Sequence, residues 1–181
     1  MREFLIYQSP LGETILAASD GGLRGVWFVG QKYLPDIKDW KKADCNPLLK
    51  EARRALARYL AAQRPTFELP LDLSGGTTFQ QQVWRALLRI APGETTTYGD
   101  VARRIGKPEA VRAVAAAIGR NPLSVVVPCH RVLGSDGSLT GYAGGLRRKA
   151  ALLALEGVYL PSAASNLLSK GLPKRREAVT A

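Results

Sequence analysis

Residues 97–119 read TYGDVARRIGKPEAVRAVAAAIG and predict two short helices joined by a tight turn. The first helix begins after Thr97, which has Asp100 as a capping partner three residues later, and it ends before Gly106. The second helix spans residues 109–119. Two short helices around a glycine-containing turn are the outline of a helix-turn-helix, so this half of the chain is predicted to contain one.

The second of these helices consists mainly of alanine. A helix that reads base edges usually offers Asn, Gln, Arg or Lys, and here Arg112 is the one long polar side chain near the middle. This composition favours DNA binding with little sequence preference, in which Arg112 neutralises a phosphate or replaces an extruded base. The alternative is an alanine-rich core helix, which helix propensity alone would favour.

The first half of the chain predicts an antiparallel meander followed by a helix. Turn-forming residues separate three strand-like runs, and apolar residues recur at helical spacing further on. The predicted strands are Glu3–Gln8, Glu13–Ala18 and Leu23–Val29, and the predicted helix runs from Pro47 to Ala62. Prolines and a Gly-Gly pair make residues 70–76 a linker between two modules.

The second module adds further elements around the helix-turn-helix. Helices are predicted at Thr78–Ile90 and Leu146–Leu155, and the β-branched run Ser124–Val127 predicts a buried strand. The predicted fold class is therefore α+β, with a small N-terminal antiparallel sheet and helix followed by a mainly helical C-terminal domain. The predicted division is an N-terminal domain at 1–72, a C-terminal domain at 76–160 and a tail at 161–181, for which disorder is an open alternative.

The charge of the chain indicates a polyanionic partner. The net charge is +11 and the isoelectric point is about 10.1, which makes nucleic acid the leading partner class. The alternative is that the surplus of Lys and Arg only keeps the protein soluble. Apolar residues make up 46% of the chain, which is typical of a globular protein and argues against disorder.

Several signals are missing from the sequence. No stretch reaches the ~20 apolar residues of a membrane span, and residues 1–7 lack the apolar run and small-residue cleavage site that are typical of a signal peptide. The expected location is the cytoplasm of a bacterium or archaeon, or the nucleus of a eukaryote. Cys45 and Cys129 are expected to be free thiols. Two cysteines and a single histidine cannot assemble an ordinary zinc site, so we expect neither a metal nor a cofactor.

Cys129 is the strongest candidate for chemistry. It follows Pro128 and precedes His130, the only histidine of the chain, and then Arg131. A thiol attacks as thiolate, and a neighbouring histidine or cation favours that form. A buried structural cysteine is the alternative, since adjacent residues of an extended chain point to opposite sides. His130 therefore reaches the sulfur only if the chain turns here.

Glu156 is the natural third member of such a group. It lies near the end of the last predicted helix, among apolar neighbours. A carboxylate in that position is either solvated at the helix end or buried with a partner. If it is buried, Glu156 would orient His130 as the acid of a catalytic triad does.

Several motifs of the second module resemble the O6-alkylguanine-DNA alkyltransferase family. They extend from Thr77 to about Gly157, and the meander and helix before them are similar to the family's ribonuclease-H-like first domain. In chain order the motifs are Tyr98 within Thr-Thr-Tyr-Gly, Arg112-Ala113-Val114, Asn121-Pro122, Val127-Pro128-Cys129-His130-Arg131-Val132, Gly141-Tyr142-Ala143-Gly144-Gly145 and Leu155-Glu156-Gly157.

The resemblance implies an activity and a partner. The activity is DNA repair by a single, irreversible transfer of the alkyl group from O6-alkylguanine to Cys129, with O4-alkylthymine as an open second substrate. The partner is double-stranded DNA carrying the lesion, bound by a monomer through the minor groove. No membrane and no cofactor are involved.

The resemblance also implies a role for each matched residue. Cys129 accepts the alkyl group, His130 takes the thiol proton through water, Glu156 orients His130, and Tyr98 donates toward the guanine ring. Arg112 replaces the flipped nucleotide, and Asn121 braces the turn between the recognition helix and the active-site strand. The remaining predicted contacts are Ala113, Ala116, Ala117, Arg120 and Arg131 to DNA, and Val132, Tyr142 and Ala143 to the base.

Two rival functions stay open at this point. A Cys–His hydrolase would turn over an ester or peptide, but it gives the helix-turn-helix no role. A non-catalytic DNA-binding regulator would need sequence-specific contacts, which the alanine-rich helix does not offer. The zinc ligands found in the first domain of some relatives, and the Cys-rich domain of relatives that activate transcription, are absent from this sequence.

Overall fold

The N-terminal half is built on a four-stranded sheet in a computed structural model that describes residues 2–63 and 67–159. Its strands are β1 (Glu3–Ser9), β2 (Gly12–Ser19), β3 (Gly22–Phe28) and β4 (Lys41–Lys42), in the order β3-β2-β1-β4. The first three form the predicted antiparallel meander, with Leu5 opposite Leu16. The two-residue β4 pairs parallel with β1, so the sheet is mixed. A strand of two residues, such as β4, is too short to be predicted from a sequence pattern.

Helix α1 (Pro47–Leu60) covers one face of this sheet. Asn46 begins it by accepting a hydrogen bond from the backbone N–H of Leu49, and Pro47 occupies the first turn, where no N–H is needed. The buried side of α1 carries Leu49, Ala52, Leu56 and Tyr59, the spacing expected of an amphipathic helix. The helix ends two residues before the predicted boundary.

The C-terminal half is mainly helical, as predicted. Capping boxes begin α2 at Thr77 with Gln80, and α3 at Thr97 with Asp100, which confirms both predicted starts. The elements are α2 (Thr78–Leu87), β5 (Thr96–Thr97), α3 (Tyr98–Arg104), α4 (Val111–Gly119), β6 (Val132–Leu133) and α5 (Leu146–Leu155), with short 3-10 turns at Pro108–Ala110 and Cys129–Arg131. Helices α3 and α4, joined by the 3-10 turn at Pro108–Ala110, occupy the positions of the predicted helix-turn-helix.

The predicted strand at Ser124–Val127 is wrong. The chain reverses there, because the N–H of Val127 donates to the carbonyl of Leu123 at 2.8 Å and Val125 has a φ of +74°. A left-handed backbone is costly for a β-branched residue, so the surrounding contacts must hold it in place. Burial explains the β-branched composition, since Val125, Val126 and Val127 all lie in the core.

The outer edge of β3 joins the two halves of the chain. Leu23 pairs with Leu71 of the predicted linker, and Val26 pairs with Leu123 just before the cysteine. The N–H of Val26 donates to Pro122 and its carbonyl accepts from Ser124, at 2.9 and 3.0 Å. Part of the predicted linker is therefore a packed, strand-like segment, and the site turn is built directly on the N-terminal sheet. The domain boundary at 72–76 stays a prediction, and the predicted tail lies outside the described residues.

Within residues 2–63 and 67–159, no helix has both the length and the apolar character needed to cross a bilayer.

Gly22 tests how firmly β3 holds the connection between the halves. Its φ is +130°, and a Cβ added there would lie 2.4 Å from the carbonyl oxygen of Pro70. We expect Gly22→Ala to lower the free energy of unfolding by about 3 kcal/mol, because backbone strain and a clash with main chain add together. Urea denaturation of the purified variants measures the change.

Gly30→Ala is the matched control. Gly30 also has a positive φ, +80°, but a Cβ there would meet no atom within 4 Å. Its cost should be about 1 kcal/mol, from the backbone conformation alone. Equal losses in the two variants would show that the contact with Pro70 does not matter.

Candidate active site

Cys129 lies at the base of a pocket of about 220 Å³. The thiol residue is 5% exposed and begins a 3-10 turn, so the chain does turn here as the Cys–His pairing requires. The walls come from the α4 face, the loop before α5 and the loop after β3. The lining residues are Lys32, Tyr33, Tyr98, Ala115, Ile118, Gly119, Cys129, Gly141, Tyr142 and Ala143.

Asn121 holds the turn that carries the cysteine. Its side-chain N–H groups donate to the carbonyl of Val127 at 2.8 Å and to the Sγ of Cys129 at 3.0 Å. Its side-chain oxygen accepts from the backbone N–H of Leu123 at 2.9 Å. One buried amide therefore spans the whole turn from Leu123 to Cys129. The predicted bracing role of Asn121 has a concrete geometry here, with a direct contact to sulfur added.

The thiol is protonated in the resting protein. Burial raises the pKa of Cys129, while the hydrogen bond from Asn121 and the charge of Lys149 act in the opposite direction. Because the thiolate is the nucleophilic form of a cysteine, a thiol in this state could attack only after a base had taken its proton.

A buried pair joins Glu156 to His130, the residue directly after the cysteine. His130 Nε2 is 3.1 Å from Oε1 of Glu156 and 3.3 Å from the hydroxyl oxygen of Tyr59. Tyr59 donates its hydroxyl hydrogen to the same carboxylate oxygen at 2.5 Å. The backbone N–H of Gly93 donates to the other oxygen at 3.2 Å. Glu156 is thus buried with partners rather than solvated at the end of α5.

These contacts determine which nitrogen of His130 carries the proton. Nε2 faces a carboxylate, so it holds the hydrogen, and Nδ1 carries the lone pair. Among the described residues, buried Nδ1 has no hydrogen-bond partner. Burial lowers the pKa of His130, and so the ring is neutral near pH 7 and able to accept a proton. The pKa of Glu156 is held well below its usual range by His130 and Arg131, despite the opposing effect of burial.

The prediction that Arg131 contacts DNA is wrong. The side chain is 8% exposed, and its Nε and Nη2 donate to Glu156 at 2.9 and 2.6 Å. Nη1 donates to the carbonyl of Ile90 at 2.5 Å. The guanidinium is fully used inside the protein, where it neutralises the carboxylate. A motif position cannot reveal this, because an arginine beside a cysteine is equally compatible with a phosphate contact.

Lys149 is a site residue that the sequence reasoning missed. It is 0% exposed, and its ammonium donates to the carbonyls of Val132 at 2.5 Å and Thr140 at 2.5 Å, and to Gly141 at 3.4 Å. Burial lowers its pKa to about 8. Lys149 fastens the loop before α5 to β6, directly after the cysteine turn. Its position four residues before the buried Leu153 on α5 was the available signal.

The loop fastened by Lys149 carries one wall of the pocket. Tyr98, at the start of α3, donates its hydroxyl to the carbonyl of Thr140 at 3.2 Å, and burial raises its pKa. Tyr142 and Ala143 lie on this wall as predicted. Val132 does not, because it is fully buried in the pairing of β6 with β5. The prediction that Val132 lines the pocket is therefore wrong.

The exposed side of α4 lies beside the mouth of the pocket. Arg112, Ala113, Ala116 and Arg120 are exposed, and Ala115, one turn after Arg112, lines the pocket. Arg120 lies over the ring of Tyr33 at 4.6 Å. Ala117 is buried and its carbonyl accepts from the indole N–H of Trp84 at 2.8 Å, so the prediction that it contacts DNA is wrong.

Both cysteines are free thiols, Cys45 exposed and Cys129 buried, as expected. In the described part of the chain, no three side chains of His, Cys, Asp or Glu come together as a metal site would require.

Comparison with known proteins identifies the family. The family model described as "6-O-methylguanine DNA methyltransferase, DNA binding domain" matches residues 78–158, and the model for its ribonuclease-like domain matches residues 4–73. A methylated-DNA–protein-cysteine methyltransferase of Mycolicibacterium paratuberculosis is 45% identical, over 90% of this chain and 96% of its own length. The chain belongs to the 6-O-methylguanine-DNA methyltransferase family.

Other members of the family agree in sequence and in fold. The Haemophilus influenzae methyltransferase is 39% identical over 96% of this chain and 97% of its own. The structure of Mycobacterium tuberculosis OGT in complex with DNA matches with a TM-score of 0.81 and 42% identity, over 92% of this chain and 99% of that one. The Pyrococcus kodakaraensis enzyme matches with a TM-score of 0.55 and 26% identity, over 87% and 100%.

The buried pair makes stability depend on pH. His130 and Glu156 both have a lower pKa when folded than when unfolded, so the unfolded chain binds more protons as the pH falls. We expect the free energy of unfolding to fall as the pH drops through about 6.5, the unfolded value for His130, and again below about 4.5 for Glu156. Urea denaturation at stepwise pH measures this.

His130→Gln is the control for the first of these two steps. Because the chain has one histidine, the slope between pH 7.5 and 5.5 should flatten in this variant. A wild-type stability that stays constant over that range would contradict the assignment of a buried, neutral ring.

Proposed function

We propose that this protein repairs DNA by moving the alkyl group from O6 of guanine to the Sγ of Cys129, once per molecule. The observation that carries the proposal is the position of the thiol, buried at the base of a pocket whose mouth adjoins the exposed face of α4. Membership of the family, whose curated members are named for this reaction, supports it.

The thiol is activated by the buried pair behind it. His130 Nδ1 takes the thiol proton through a water molecule, and the carboxylate of Glu156, 3.1 Å from Nε2, stabilises the imidazolium that forms. The N–H of Asn121 on Sγ and the positive charge of Lys149 both favour the thiolate. The thiolate therefore forms as His130 takes the proton, although burial favours the neutral thiol in the resting protein.

The transfer step breaks one bond and forms another. Thiolate sulfur attacks the alkyl carbon in line, the carbon–sulfur bond forms, and the bond to O6 breaks with its electron pair moving into the guanine ring. Tyr98, at the pocket wall, donates toward that ring as charge develops. The product is a thioether, which has no carbonyl for water to attack. No step restores Cys129, so each molecule acts once.

The lesion reaches the pocket from a duplex. The target oxygen lies within the base stack, so the nucleotide must be flipped out, at a cost of a few kcal/mol. The exposed face of α4, with Ala113 and Ala116, allows close approach to the minor groove, and Arg112 fills the gap in the stack. Arg103, Arg104 and Arg120 are exposed candidates for phosphate contacts. The structure of the M. tuberculosis relative in complex with DNA supports this partner.

The reaction needs one protein molecule and one lesion, so the acting form is a monomer. Its location is the compartment that holds the DNA, which is the cytoplasm in a bacterium or archaeon and the nucleus in a eukaryote.

Cys129→Ala tests the acceptor. Incubation with duplex DNA carrying O6-methylguanine labelled in the methyl group should place one label on each wild-type molecule and none on the variant. DNA affinity should change little, because phosphate contacts rather than the thiol supply most of it. The measurement is label on protein per mole, with the site located by peptide mass analysis.

Cys45→Ala is the matched control, since it removes the other thiol, which is exposed and lies outside the pocket. It should accept one label at the wild-type rate. Stoichiometric label on the Cys129→Ala protein, attached to Cys45, would refute the proposal, and so would repeated turnover by wild type.

Arg112→Ala tests the flipping role. The variant should slow repair in duplex DNA by at least about tenfold, because an inserted side chain offsets part of the cost of flipping. It should slow the reaction with the free base O6-alkylguanine far less, since that substrate needs no flipping. The measurement is the ratio of second-order rate constants, duplex over free base.

Arg53→Ala, on the exposed side of α1, removes the same charge elsewhere and serves as the control. Its ratio should equal that of wild type. An unchanged ratio for Arg112→Ala would remove Arg112 from the flipping role and leave the assignment of Cys129 untouched.

A further inference from the structure

We propose that Tyr59 is a positioning residue for the alkyl transfer, because its hydroxyl holds Glu156 and His130 in the arrangement that leaves Nδ1 able to accept the thiol proton. The inference rests on the proposed function. It assigns to α1, in the N-terminal half of the chain, a direct part in the reaction centre.

The contacts of Tyr59 place its hydroxyl between the acid and the base. The residue is 4% exposed, and its oxygen is 2.5 Å from Oε1 of Glu156 and 3.3 Å from Nε2 of His130. The three polar atoms are therefore in mutual contact inside the protein. Tyr59 precedes His130 by 71 residues and Glu156 by 97, so only the fold brings them together.

The neighbouring donors and acceptors determine the direction of the hydrogen bond from the Tyr59 hydroxyl. Glu156 accepts only, and Arg131 has no acceptor to offer, so the hydroxyl hydrogen of Tyr59 points to the carboxylate. The lone pairs of the Tyr59 oxygen therefore face Nε2 of His130. They stabilise Nε2 in its protonated form. Burial and the neighbouring carboxylate raise the pKa of Tyr59, which keeps the hydroxyl neutral and donating.

A purely structural role is the competing explanation. The ring of Tyr59 packs against that of Phe67, with centroids 5.8 Å apart, and contributes to the core cluster. Tyr59→Phe distinguishes a packing role from a positioning role, because it keeps the ring and removes the oxygen. A packing role would survive this change, and a positioning role would not.

The single histidine of the chain provides a direct readout. Protein labelled with 15N-histidine gives one pair of ring nitrogen signals, whose shifts distinguish a protonated from an unprotonated nitrogen. In wild type at pH 7.5, Nε2 should be protonated and Nδ1 should be unprotonated. In Tyr59→Phe, Nε2 should stay protonated beside Glu156, but both signals should shift, because the carboxylate that accepts its hydrogen is no longer held by the hydroxyl.

The rate of transfer is the second readout. At saturating duplex DNA with O6-methylguanine, Tyr59→Phe should slow single-turnover transfer about tenfold, the effect of losing one hydrogen bond to a charged group. The Kd for the same duplex should not change, since Tyr59 is buried and does not line the pocket that contains Cys129. Tyr7→Phe, which removes a hydroxyl from β1, is the matched control and should match wild type in both readouts.

Each outcome decides the proposal. Shifted ring signals together with a slower rate at unchanged Kd support it. Wild-type ring signals in Tyr59→Phe overturn it, whether or not the rate falls, and so does protonated Nδ1 in the wild-type protein, a result that does not depend on the variant folding. If wild type transfers no label to Cys129, the proposed function fails, and the ring signals still report separately on the contact of Tyr59 with His130.

Discussion

The buried carboxylate of Glu156 is the interaction on which the site depends. It receives hydrogen bonds from Arg131, His130, Tyr59 and the backbone of Gly93. These partners belong to the cysteine turn, to α1 and to the segment after α2, while Glu156 itself ends α5. A buried charge is tolerated only when it is paired and hydrogen-bonded, so Glu156 can stay ionised in the core only when all of these parts of the chain are in place. The same contacts fix the position of His130.

The elements that could be predicted are those whose signals are local. Capping at Thr77 and Thr97, the turns of the meander and the spacing on α1 depend on residues within a few positions, and the structure contains them. The strand predicted at Ser124–Val127 failed because β-branched composition reports burial as well as extension. The backbone reverses there only because the side chain of Asn121 and the edge of β3 hold it.

The site shows the same limit. The types and order of Cys129, His130 and Glu156 make them candidates for the site, but their contacts involve residues distant in the sequence. Arg131 is predicted to contact DNA, and Tyr59 lies on the buried side of α1, yet both side chains meet at Glu156. In the sequence alone, Lys149 cannot be distinguished from a surface lysine. Its burial follows from the position of α5 beside β6. Two of the positive charges in a basic chain therefore serve the interior, a division that net charge cannot reveal.

The pairing along the outer edge of β3 has a consequence for the solubility of fragments. An edge strand with free N–H and carbonyl groups is a template for pairing with other chains. Here Pro70, Asp72, Pro122 and Ser124 occupy those groups, and two of the four come from beyond residue 120. A fragment that ends at the linker would lack Pro122 and Ser124, so the backbone N–H and carbonyl of Val26 would be exposed at the edge of the sheet. Such a fragment would be prone to aggregate. The C-terminal half therefore covers an edge of the same sheet that supports the turn carrying Cys129.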